Sequence, residues 1–168
     1  MASVQILGTG QLLQLSGRLR AAGGPRLRQN TSRRIRRAAE PLHRDLQRSI
    51  RTVQLAGTGR KKRGGPSPTQ RPLRAGIAGA VRISVRSGAS PGARIWLDGS
   101  RLPPGVTMGV PARINEGRLR HPVFGNRKRW SNQMARPTGW WDRPVRNGMP
   151  RMRAEVNRIL GDVRRDLQ

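Results

Sequence analysis

Apolar residues recur at helical spacing in two long stretches of the chain and at alternating spacing in one short stretch. From Leu27 the series continues through Ile35, Ala38, Ala39, Leu42, Leu46, Ile50 and Val53, while Arg33, Arg34, Arg37, Arg44, Arg48 and Arg51 occupy the other side. Steps of three, four and eight keep the apolar set on one face, which predicts an amphipathic helix of about 30 residues. Pro25 suits its first turn, where a missing N–H is not needed. Pro41 falls inside it and should kink or divide it, at about 3 kcal/mol if nothing compensates. Gly57 is a natural stop. The second helical stripe runs Val145, Met149, Met152, Val156, Ile159, Leu160, Val163 and Leu167. Gly148 and Pro150 weaken its first turns, so the firm helix is expected over 150–166.

Alternation marks the sheet. Val81, Ile83 and Val85 alternate with Arg82, Ser84 and Arg86, and Ile95 and Leu97 return after a turn at 87–92. This pattern predicts a hairpin. Leu73–Gly79 reads as a short helix or a strand lead-in, Val106–Val110 as a further short strand, and 117–141 as irregular or strand-like. A weak helical patch, Gln11–Ala22, ends at Gly23-Gly24. The segment GTGRKKRGGPSPTQRP at 57–72 has no apolar anchor and predicts a basic flexible loop. The expected architecture is α+β: a long N-terminal amphipathic helix, a small antiparallel sheet, and a C-terminal helix packed on the sheet. Residues 1–24 form an N-terminal arm and 25–168 a single domain.

Composition adds a strong bias to this picture. Thirty-five Lys and Arg face eight Asp and Glu, a net charge of +27 over 168 residues. Self-repulsion at this density opposes folding and favours an anionic partner. Nearly all the cations are Arg, which suits bidentate contacts to phosphate or carboxylate; a coding bias toward Arg codons gives the same excess. With 34% hydrophobic residues, 21 Gly and 13 Pro, the core should be modest and reliant on neighbours. The absence of cysteine excludes disulfides and thiol chemistry. Met1–Leu15 lacks a positive region before a continuous apolar run, so no signal peptide is expected. No apolar run approaches the roughly 18 residues of a membrane span.

Catalysis needs converging groups, and the pattern offers none. Glu40, Asp45, Glu155, Asp162 and Asp166 lie among arginines on the predicted helices, where pairs such as Glu40–Arg44 and Glu155–Arg151 are spaced for helical ion pairing. His43 and His121 are the only imidazoles, too few for a metal site without Cys. The loop GTGRKKRGG lacks the order of a phosphate-cradling motif. No enzyme, cofactor or metal is expected. Arg60, Lys61, Lys62 and Arg63 form a Gly-flanked basic cluster, which suits nonspecific phosphate contact or a solvated loop. No base-reading motif accompanies it.

One stretch is more specific. Arg120-His121-Pro122-Val123-Phe124-Gly125-Asn126-Arg127 is followed by Trp130, Gln133, Pro137, Gly139, Trp140 and Trp141. It resembles the R-H-P-V-F-G-N … W … Q … P-G-[WF]-[FW] signature of the tail-completion proteins of long-tailed siphoviruses, the minor tail protein Z-like family of phage necks. The order of predicted elements over about 25–167 agrees with it. Residues 1–24 and 57–71 match no part of that pattern, and the charge exceeds what the family suggests. The resemblance implies a structural virion protein: a subunit of a homo-oligomeric ring, six-fold by preference, at the head–tail junction. Its implied neighbours are the head–tail connector or head-closure proteins and the tail terminator or tail tube. Double-stranded DNA would pass through the ring in nonspecific contact, with Arg60–Arg63 as candidates for lining the channel; no membrane is involved. Phe124, Trp130, Trp140 and Trp141 are then either core plugs or anchors of a subunit interface, where aromatics and Arg are favoured.

Charge limits how much of the Arg serves DNA. A ring about 40 Å tall encloses only about 24 phosphates at one charge per 1.7 Å. Six copies at +27 carry far more than that, so most arginines should face protein neighbours or solvent. The alternative is a free basic nucleic-acid-binding protein, RNA- or ribosome-associated, which would bind as a monomer with steep salt dependence.

Overall fold

The computed structural model describes residues 4–7, 25–57, 73–86, 91–123 and 126–165. The elements in chain order are β1 (Val4–Leu7), α1 (Pro25–Thr52), β2 (Gln54–Gly57), α2 (Leu73–Ala80), β3 (Val81–Arg86), β4 (Gly92–Leu97), α3 (Gly109–Asn115), β5 (Arg118–Val123), β6 (Asn126–Arg136) and α4 (Asp142–Arg165). The α+β class expected from periodicity is present. The strands form two three-stranded antiparallel sheets where one was expected: sheet A in the order β1-β4-β3 and sheet B in the order β2-β6-β5.

Helix α1 is the spine. Its stripe of Ile35, Ala39, Leu42, Leu46 and Ile50, continued by Val53, is completely or almost completely buried. One flank bears on α2, β3 and β4 and the other on α4. The terminal helix therefore has α1 as its principal partner; the expectation that it rests on the sheet is corrected by a layer of helix between them. Both helices carry a full apolar stripe, so each satisfies the other before sheet A is reached. Burial of the α4 residues Met152, Val156, Ile159, Leu160 and Val163 closes this interface.

Neither internal proline divides its helix. Pro41 is exposed, so the carbonyl of Arg37 that loses its partner lies on the solvent side. α4 begins eight residues before Pro150, earlier than expected. The Asn115 side chain accepts from the Trp141 N–H at 2.9 Å and donates to Asp142 at 2.6 Å, fixing the first turn. Asp142 also places negative charge at the helix start. Gly148 does not weaken the helix without return: a Cβ there would lie 2.9 Å from Leu42 Cδ1, so the glycine lets α4 approach α1 closely.

Three further expectations change. Gly57 does not stop α1; the helix ends at Thr52 and Gln54–Gly57 pairs with β6. The last carbonyls of the helix segment are held by Arg74, whose Nη1 donates to Val53 O at 2.6 Å and Arg51 O at 3.3 Å. Val106–Val110 is not a strand: a turn precedes α3, where Pro111 needs no N–H in the first turn and its buried ring joins Ile114. Leu73–Ala80 resolves as helix, tied to α1 by Gln47 Nε2 donating to Ala78 O at 3.2 Å, and the start of β3 is held by His43 Nε2 meeting Val81 O at 3.0 Å. Of the segment read as an N-terminal arm, Val4–Leu7 forms an edge of sheet A; the patch at 11–22 lies outside the described residues. No helix among the described residues is long and apolar enough to cross a membrane.

Candidate interaction face

The family-like motif builds sheet B and the corner beneath it. β5 pairs with β6 in the register Arg118↔Met134, Leu119↔Gln133, Arg120↔Asn132, His121↔Ser131 and Pro122↔Trp130. β2 adds Gln54↔Arg136, Leu55↔Ala135 and Ala56↔Met134. Directly opposed residues share a face of an antiparallel sheet. One face therefore holds Leu55, Leu119, His121, Ser131, Gln133 and Ala135, and it turns inward: Leu119 and Ala135 are buried. The other holds Gln54, Ala56, Arg118, Arg120, Asn132, Met134, Trp130 and Arg136, all exposed. Trp130 and Met134 keep 47% and 42% of their surface in water, among the few large apolar side chains that do. The Arg120 guanidinium carbon lies 5.0 Å from the Trp130 ring centroid, a cation–π contact.

Trp140 and Trp141 behave oppositely. They are 1% and 4% exposed and meet edge to face with centroids 5.6 Å apart. Trp140 Nε1 donates to Pro111 O at 3.0 Å, locking α3 to the start of α4. Gly117 turns the chain from α3 into β5 at φ +93, and its carbonyl accepts from Ala135 N at 2.8 Å. A side chain there would be strained and would strike Thr138. The four aromatics expected as core plugs or interface anchors divide: Trp140 and Trp141 are core, Trp130 is surface, and Phe124 lies outside the described residues, as do Gly125 and the channel candidates Arg60, Lys61, Lys62 and Arg63. Arg120, His121 and Pro122 sit on β5, Val123 ends it, and Asn126 opens β6.

The electrostatics of the face stand out against the rest of the surface. β2, β5 and β6 contain no acid, yet β5 and β6 carry Arg118, Arg120, Arg127, Lys128, Arg129 and Arg136. The described acids are engaged elsewhere. Glu40 pairs with Arg44 at 2.7 Å, as its spacing predicts, and Asp45 with Arg48 at 3.4 Å. Glu155 pairs with Arg158 at 2.6 Å, where Arg151 was expected. Asp162 bridges Arg34 of α1 and Arg165. Hydrogen bonding to Arg34 holds the Asp162 carboxyl below its ordinary range, Arg158 does the same for Glu155, and Ser100 for Asp98. On the sheet B face Arg118 has an acid beside it, Glu116 at 3.6 Å.

Sequence reasoning missed this face because it searched for charge runs. Arg118, Arg120 and Arg136 are scattered in sequence; period-two spacing in two strands that pair is what gathers them. The same signal recurs in sheet A, where Arg94 lies 5.4 Å from the Trp96 ring centroid on the outer side of β4. Comparison with family models, with curated proteins and with solved structures finds no match to this chain.

Proposed function

We propose that this chain is a structural, non-enzymatic ring subunit of the head–tail junction of a long-tailed phage. In that role it completes the tail and joins the connector to the terminator or tube around the DNA channel. One observation carries the reading: the described residues of the family-like motif belong to a single structural unit. Trp140 and Trp141 form its buried base, Gly117 and Gly139 its positive-φ turns, and Arg120 and Trp130 its exposed display. A motif divided between holding a hairpin in place and displaying its outer face suits an assembly protein. The neighbours are connector or head-closure proteins on one side and terminator or tube proteins on the other, and the place of action is the virion.

Mass spectrometry of purified particles tests this. The expected result is the chain in fixed ratio to tail proteins, six copies by the family's preference, and a ring at the neck in particle reconstructions. A chain absent from particles and recovered with RNA or ribosomes would instead support the free nucleic-acid-binding reading.

A further inference from the structure

We infer that the outer face of sheet B is a contact surface for the phosphate backbone of duplex DNA. The inference rests on the neck reading for the presence of a duplex, and on the residues of the face for everything else.

The three strands of the face contribute cations and no acid of their own, and Glu116 beside Arg118 lies at its rim. Arg120 and Arg136 are exposed on it in the pairing register, Arg118 joins them, and Lys128 precedes Trp130 by two residues on the same strand. Among the described residues no acidic patch complements this face. Its described acids are engaged by Arg, Ser or Asn side chains on other elements or at the rim of the hairpin, so no acidic patch remains to dock on it. The face therefore fits a foreign anion better than a second copy of this chain.

Geometry selects a repeating one. From Lys128 to Arg136 the strand spans about 27 Å at 3.4 Å per residue. A duplex laid along that length carries about sixteen phosphates at one charge per 1.7 Å, and those on the side toward the sheet are enough for the cations of the face. Alternate residues on a strand stand about 7 Å apart, far enough for neighbouring cations to take separate phosphates. Guanidinium groups bind phosphate oxygens bidentately. A single-stranded ligand would want successive aromatic rings to stack on; among the described residues this face offers Trp130 alone, with Arg120 over it. Trp130 and Met134 then pack against sugar edges and exclude water from the ion pairs beside them.

Binding of the full chain to a short random-sequence duplex, titrated against salt, tests the assignment. The triple variant Arg120→Gln, Lys128→Gln, Arg136→Gln removes three exposed cations. Its counterpart Arg26→Gln, Arg33→Gln, Arg36→Gln removes the same charge from the exposed side of α1. Circular dichroism checks that both fold. The sheet variant should lower the slope of log affinity against log salt by about 3, one per cation. It should weaken binding on the order of 100-fold at about 0.1 M salt, while the α1 variant changes little. Equal losses in the two variants would overturn the assignment, since net charge alone would then explain binding. So would tighter binding of single strands that is abolished by Trp130→Ala, or tighter binding of poly-glutamate than of duplex. Particle composition is read separately: a chain missing from particles that still binds duplex through this face sinks only the neck reading, and a neck subunit whose sheet variant binds normally sinks only this one.

Discussion

Two tryptophans ten residues apart, Trp130 and Trp140, have opposite fates, and the reason lies in strand parity and in the hydrogen bond that one of them makes. Trp140 fills the space between α3 and α4 and spends its indole N–H on Pro111. Truncation to Ala should cost about 3–5 kcal/mol, the usual range for a buried Trp. Trp130→Ala should cost under about 1 kcal/mol because much of its ring is already in water. Urea unfolding of the two variants decides this; similar losses would mean that Trp130 is part of the core. Sequence alone left the four aromatics as core or interface without distinguishing them. Parity becomes readable only when the register Pro122↔Trp130 is known, and a register is a property of two strands together.

Among the elements, the union of α1 with α4 has an electrostatic latch beside its apolar seam. Arg34 and Asp162 join them across the groove, and the Asp162 carboxyl is held below its ordinary value of 3.8. A lowered folded-state pKa contributes stability above the unfolded pKa, and that contribution is lost as pH falls through the folded value. The wild-type melting temperature should therefore fall with acidification below about pH 4. Asp162→Asn should flatten that part of the curve while leaving its shape near neutrality unchanged. A variant whose acid limb matches the wild type would show that other carboxylates govern it. The two helices were legible from their stripes because α1 and α4 bury one face each, and periodicity reports exactly such faces only when the helix is long. Short α3 was not legible: its seven residues hold two buried side chains, Pro111 and Ile114, too few to establish a period against the alternative of a strand. The start of α4 was hidden for a different reason. It depends on Asn115, distant in sequence, whose side chain organises the turn.

At the scale of the molecule, none of the described cations of known burial is buried, and one core joins α1, α4 and sheet A with Ile114, Trp140, Trp141 and the inner residues Leu119 and Ala135 of sheet B. Sheet A takes its edge from the first residues of the chain: Val4 pairs with Ile95 and Leu7 with Gly92. Those partners are among the most widely separated in sequence of any in the protein, so β1 joins only after a long loop has closed. Four residues cannot hold such a closure firmly. Amide hydrogen exchange should find β1 losing protection first, well before β3 on the opposite edge, and the newly uncovered side of β4 would then offer unpaired backbone groups to another chain. Protection of β1 that matched that of β3 would show that its short pairing holds the β4 edge covered; early loss would make the lifetime of that pairing the limit on mispairing.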